Sequence, residues 1–374
     1  GTAAEWAAPV IGARVVASWD PIGLLQNVLQ WQSCNSSRRT GVATRDHLRA
    51  TWRDISTPFL ALDAGRSGFR TTLAAYSGLF SHSPFLHVST EGTYHEDFLD
   101  NSEAQQWLNV GACYSESRIA AHREDAARWL TAMIRRYVDD DITYDELVHG
   151  PAALAAPKTM VATRRGDSSS KLIDSSALHA FGSSLSSPQA NAAQGTAVIE
   201  GASGVVDLAP AARTMIRVDV NGNLDVFSQA NLTYFSGNSD YWKMLVPETK
   251  SEAALVERFG TTLDLHAYRR LNFELIVTAK EQTGFCYKSE PDVLPQATGV
   301  VVRIRSADGR TADITGSALA GADRTYLGLP VTRSADLSSV AKSVDLAHIS
   351  AIEIRVPAAS VLRSVAFDDL RALR

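Results

Sequence analysis

Cysteine is scarce: Cys34, Cys113 and Cys286 are the only three in the chain. None stands in C-x-x-C spacing, so the sequence encodes neither a disulfide framework nor a structural zinc site, and the choice is between buried thiols and a single Cys34–Cys113 bridge. No apolar run reaches the ~18 residues of a membrane-spanning helix. No basic-then-apolar leader opens the chain either, but residue 1 is Gly rather than Met, so that absence says nothing about secretion. Positive charge is also in deficit, with 36 Lys and Arg against 41 Asp and Glu for a net charge of -5. Nucleic acid is therefore disfavoured as the main partner, because phosphate binding needs a concentrated basic surface. There is no Walker loop and no G-x-G-x-x-G, which disfavours nucleotide chemistry. Gly65-Arg66-Ser67-Gly68 is not a nucleophile elbow, and no internal repeat is visible.

With 374 residues the chain exceeds what one hydrophobic core usually serves, so two domains are expected. Residues 1–150 read as mainly helical. Short amphipathic helices are predicted near 23–31, 44–52 and 69–80, and the clearest helix covers 116–138. There Ile119, Ala126, Trp129, Leu130, Met133, Ile134 and Tyr137 share one face. Residues 81–101 have no period and read as irregular. Residues 151–211 are rich in Ser, Ala and Gly and read as a linker, with strands expected at 159–162 and 197–200. From residue 212 the period becomes two: Ile216, Val218 and Val220, then Leu271, Phe273, Leu275 and Val277, then Val300, Val302 and Ile304. Turn clusters such as Asn221-Gly222-Asn223 and Ala307-Asp308-Gly309 separate them. Several short strands without a long helix between them predict an antiparallel β-sandwich over 212–374.

The end of the chain is the most regular part. Ile352, Ile354 and Val356 alternate with Glu353 and Arg355, and Val365 and Phe367 follow after a short turn at 357–360. The "IEIRVP" strand followed by Phe367-Asp368-Asp369-Leu370 resembles the final hairpin of the galactose-binding-like β-jelly-roll, a sandwich common in carbohydrate-binding modules. The resemblance implies a jelly-roll that binds carbohydrate, and it leaves the N-terminal half unassigned. The pair Asp368-Asp369 also resembles the position where many jelly-roll modules bind a structural calcium ion, with Asp368 the candidate ligand; no other cofactor is expected. Calcium needs six to eight oxygens, and neighbouring strand residues point to opposite faces, so Asp368 and Asp369 together supply little of a site. Solvent-facing or salt-bridged acids are the competing reading.

Three sets of residues carry chemistry. Tyr234, Asn238, Asp240 and Tyr241, followed by Trp242, combine rings able to stack on a pyranose with groups able to bond its hydroxyls; the bland alternative is that the aromatics are core. His82, His87, His95, Glu96, Asp97 and Asp100 concentrate titratable groups within 82–100, in no known metal-binding spacing. Tyr94, His95, Arg118 and His122 supply the Tyr, His and Arg types that abstract a proton beside a uronate carboxylate, and are the catalytic candidates.

The expectation is an extracellular or surface-exposed protein that binds a polysaccharide or cell-surface glycan through the C-terminal jelly-roll. Two alternatives stand beside it. One is a polysaccharide lyase or glycoside hydrolase with catalysis in the N-terminal domain, tethered by the module. The other is a non-catalytic structural or attachment subunit of a virion, tail or surface layer that self-assembles.

Overall fold

The computed structural model describes residues 12–19, 56–64, 83–91, 93, 116–165, 169–175, 178–179, 183–208, 216–218, 224–226, 242–247, 252–279, 296–297, 299–325, 331–358 and 362–374. The chain divides into two compact units. The first comprises Gly1–Gly166, Ala211–Ser239 and Gln282–Leu294, and the second Asp167–Pro210, Asp240–Glu281 and Pro295–Arg374.

The first unit is built on a sheet of β1 (Val16–Trp19), β2 (Phe59–Ala64), β3 (Phe85–Thr90) and β4 (Thr159–Arg164), in that order. Strands β1, β2 and β3 are parallel and β4 is antiparallel to β3. Helix α1 (Glu116–Tyr137), with the short α2 (Asp145–Val148) and α3 (Pro151–Leu154), lies between β3 and β4 in the chain. On α1 the buried positions are Ile119, His122, Ala126, Trp129, Ala132 and Met133, the spacing of one helix face. Asp125 fixes that face to the strand end, accepting 3.1 Å from Thr90 Oγ1 and 3.3 Å from Trp129 Nε1.

This architecture corrects the mainly helical reading of the N-terminal half. Phe85, Leu86, His87, Val88 and Ser89 are all buried, so β3 is covered on both faces. A strand in that position needs no polar alternation, and the run at 85–90 therefore looked irregular by period. The helices predicted near 23–31, 44–52 and 69–80 lie outside the described residues. Two further strands, β9 (Ile216–Val218) and β10 (Leu224–Val226), form an antiparallel pair.

The second unit holds two antiparallel sheets. Sheet I contains seven strands: β17 (Leu319–Ala320), β19 (Val331–Asp336), β13 (Arg270–Ala279), β21 (Leu362–Leu373), β11 (Trp242–Pro247) and β8 (Val205–Leu208) in order, with β5 (Ser170–Asp174) also pairing β21. Sheet II contains six: β16 (Thr311–Ile314), β15 (Val301–Ser306), β20 (Ile349–Val356), β12 (Ala253–Leu263), β7 (Gly195–Glu200) and β6 (Gln189–Ala190). A small pair, β14 (Gln296–Ala297) and β18 (Arg324–Thr325), completes the strands of this unit. The serine-rich stretch after residue 164 thus supplies β5 to β8.

The core is built from the expected alternation. Leu271, Phe273 and Leu275 of β13 and Val365 and Phe367 of β21 are buried, and the Phe273 and Phe367 rings lie 6.3 Å apart. One feature of the chain end is corrected. Strands β20 and β21 are not a hairpin: β20 pairs with β12 and β15 in sheet II, and β21 pairs with β13, β11 and β5 in sheet I. The turn after Val356 therefore passes from one sheet to the other, a connection that alternation alone cannot distinguish from a hairpin. Opposite Phe273, β21 carries an extra residue, and Asp369 takes φ 52° at this bulge.

Candidate functional site

The outer face of sheet II carries a groove with chemistry. Its rows follow from the strand register. Thr196, Arg258, Ala351 and Arg305 lie side by side on β7, β12, β20 and β15. The next row is Val198, Val256, Glu353 and Arg303, and the third is Glu200, Ala254 and Arg355. Small apolar side chains occupy the centre: Val198, Ala254, Val256 and Ala351 form a buried cluster of their own, separate from the sandwich interior. At Gly195 an added Cβ would come within 1.8 Å of the Arg258 carbonyl oxygen, so only glycine allows β7 to lie this close to β12.

Charged side chains stand around that floor in pairs. Arg258 bonds Glu200, and Arg305 donates to Glu353 at 2.7 Å. Arg355 bonds both Glu353, at 2.5 Å, and Glu252. Arg303 makes a two-pronged contact with Asp313 at 2.6 and 2.8 Å. That contact holds the Asp313 carboxyl below the usual carboxylate range. The Glu353 side chain is 5% exposed whereas Arg258 and Arg305 are 55% and 47% exposed, so the carboxylate is an anchor and the guanidinium groups face solvent. The groove has a volume of about 410 Å³ and is lined by Glu200, Val256, Arg258, Phe259, Arg305, Ser350, Ala351 and Glu353. Such a surface offers one half-buried ring with ordered N–H donors and carboxylate acceptors over a buried apolar floor, which suits an extended polyhydroxylated ligand.

Of the residues singled out from sequence, the ligand-binding set Tyr234, Asn238, Asp240 and Tyr241 lies outside the described residues. Trp242 opens β11, opposite Leu208. Among the catalytic candidates, Tyr94 and His95 are also outside them, Arg118 lies on α1, and His122 is buried on that helix. Within the titratable stretch, His87 is fully buried in β3 beside the Phe85 ring, at 6.5 Å between centroids. His82, His95, Glu96, Asp97 and Asp100 lie outside the described residues.

Asp368 is buried and accepts from Ser175 Oγ at 3.3 Å, and Asp369 accepts from Arg371 Nε at 2.6 Å. Among the described residues no group of three or more His, Cys, Asp or Glu side chains is placed to hold a metal ion. In the strand pairing Asp368 stands opposite the buried Glu274 of β13, and Asp174 pairs with Leu370. Asp174 meets His179 and Glu257 in the sandwich interior, whereas Asp368 alternates with the core residue Phe367.

The groove was not foreseen. Its signal was nevertheless present in "IEIRV", because the polar members of that alternation, Glu353 and Arg355, are the ones that face the groove side.

No family model and no curated protein matches the chain. Solved structures do. An exo-β-agarase matches at 12% identity and a TM-score of 0.29, over 54% of this chain and 24% of that one. The family 11 carbohydrate-binding module of the cellulosomal cellulase Lic26A-Cel5E of Clostridium thermocellum matches at 12% identity and a TM-score of 0.26, over 55% of this chain and 94% of the module. The CBM22-1 xylan-binding domain of Paenibacillus barcinonensis Xyn10C matches at 9% identity and a TM-score of 0.24, over 52% and 96%. The chain spans about a quarter of the agarase's length. The modules are of the class that the end of the chain resembles.

Proposed function

We propose that the second unit is a carbohydrate-binding module and that its ligand lies along the groove on the outer face of sheet II. The observation that carries this reading is the groove itself: the half-buried Phe259 ring over a floor of Val256 and Ala351, flanked by the Arg258–Glu200 and Arg305–Glu353 pairs. A saccharide chain presents apolar C–H faces and rows of hydroxyls, and this surface answers both. Each paired arginine is already oriented by its carboxylate, so little side-chain freedom is lost when it donates to a hydroxyl. The lining charges cancel, two guanidinium groups against two carboxylates. An uncharged polysaccharide is therefore the fitting partner, and one of the solved structures named above is described as a xylan-binding domain. Tyr234 and Tyr241 remain the candidates for additional stacking. A role of this kind places the protein outside the cell, where polysaccharide is met; no helix among the described residues is long and apolar enough to cross a membrane.

The test is affinity electrophoresis of the full chain through gels containing mixed-linked β-glucan, xylan, mannan or agarose. Retardation by at least one is expected, together with its loss in Arg258→Ala/Arg305→Ala at unchanged thermal stability. The Arg258–Glu200 pair is exposed on both sides and contributes only ~0.2–1 kcal/mol to folding, and Glu353 keeps its bond to Arg355 when Arg305 is removed.

A further inference from the structure

Inside the sandwich, one position breaks the alternation that otherwise fills the core. Glu257 lies on β12 two residues beyond Leu255, on the same inward face, yet its neighbours across the strands are Ala197 on β7 and Ile352 on β20. Glu257 itself is fully buried. The titratable groups that face it come from the end of β5 and the segment after it: Asp174, also fully buried, and His179. Asn191, just after β6, is its remaining polar partner.

The hydrogen bonds assign each atom a role. Asn191 Oδ1 accepts from the Gly195 N–H at 2.8 Å, so the other end of that amide, Nδ2, is the donor to Glu257 Oε2 at 2.6 Å. Asp174 is an acceptor: His179 Nε2 lies 2.9 Å from both of its oxygens, and the Ser175 N–H donates to Oδ1 at 2.9 Å. Glu257 Oε1 is different, because it is buried and no N–H or O–H donor reaches it. An ionised carboxylate with one oxygen left bare beside a second carboxylate is a costly arrangement. A carboxylic acid whose Oε1–H points to its neighbour satisfies every atom.

We propose that this proton is a structural part of the sandwich: Glu257 folds as the neutral acid, donates Oε1–H to Asp174, and so ties β12 of sheet II to β5 of sheet I without a metal ion. Burial first, and then the charge of Asp174, push the Glu257 carboxyl well above the ordinary glutamate value of 4.5. The consequence for stability has a definite sign. A group whose pKa is raised by folding contributes fully below its unfolded value, and that contribution is lost as pH rises through the folded value. The unit is therefore favoured by acid and weakened by alkali. Val256 and Arg258, on either side of Glu257, line the groove, so the same proton supports the groove floor from behind. The inference does not depend on what the groove binds.

Infrared titration of the full chain in D2O, with EDTA present, tests it. The carbonyl band of a protonated carboxylic acid should persist at neutral pH and be missing in Glu257→Gln. The glutamine keeps both bonds, accepting from Asn191 and donating to Asp174. The thermal midpoint of the wild type should fall as pH rises above the ordinary glutamate value of 4.5 and that of Glu257→Gln should stay level, with no response of either to added calcium. Asp174→Asn removes the repelling charge, so the band should disappear at lower pH than in the wild type; this holds the test if Glu257→Gln does not fold. Absence of the band at neutral pH, a band that Asp174→Asn leaves unmoved, or a calcium-induced rise in the midpoint that Glu257→Gln abolishes would overturn the proposal.

Discussion

The sheet of the first unit and sheet II of the second solve the same problem in opposite ways. In the first unit β2 and β3 run parallel, and side chains on both faces of β3 are buried. In sheet II one face is core, with Leu255, Ile352 and Ile354 buried, and the other is a lattice of arginines and carboxylates over a narrow apolar strip. A sheet covered on both sides spends its faces on packing, whereas a sheet covered on one side keeps a face for recognition. Function in this chain is accordingly sought on the outer face of sheet II.

The contrast can be strained at several points. The largest effect should come from the sandwich core: Phe367→Ala should cost ~3–5 kcal/mol in urea unfolding, since the ring is 1% exposed and packs on Phe273. A loss near zero would mean that β21 does not place this ring inside.

A smaller effect is expected in the first unit, at the corner between α2 and β4. Thr163 Oγ1 lies 3.1 Å from the carbonyl oxygens of both Phe85 and Val148, and 2.5 Å from His149 Nδ1. Because the hydroxyl donates to a carbonyl, it accepts from Nδ1–H, which leaves Nε2 to accept from Tyr137 O–H at 2.5 Å. Thr163→Val removes the acceptor and strands a buried donor, at a cost of ~1–3 kcal/mol. No measurable loss in the same unfolding experiment would contradict this bonding scheme.

The smallest effect belongs to the outer face. Asp313→Asn, which breaks the contact with Arg303, should cost no more than ~0.2–1 kcal/mol and less at high salt. Because folding lowers the Asp313 pKa, the contribution is present above the unfolded value and is lost as pH falls through the folded one. A thermal midpoint that responds to this substitution equally at low and neutral pH would argue against the pair.

How far these features could be read from the residues depends on the same contrast. Alternation exposed β13, β15, β20 and β21, because each has one apolar and one mixed face. It did not reveal β2 and β3, where "FLAL" and "FLHVS" are packed on both sides and carry no period. Nor could it pair strands: β20 and β21 read as a hairpin, while the register puts them in different sheets. The groove was legible only in part. Glu353 and Arg355 stood out as the polar half of an alternation, but their meeting with Arg258, Glu200 and Arg305 depends on strands distant in sequence. Glu257 was hidden for a related reason, since its partners Asp174 and Asn191 come from the stretch that composition marked as linker.

Binding of carbohydrate on the outer face of sheet II is measured by calorimetric titration. A soluble oligosaccharide of the polysaccharide that retards the chain most in gels would be titrated into wild type and into Arg258→Ala/Arg305→Ala. The account predicts saturable binding to the wild type that changes little with salt, and at least a tenfold loss in the double variant, equivalent to ~1.4 kcal/mol. Undiminished affinity in a folded double variant would contradict it.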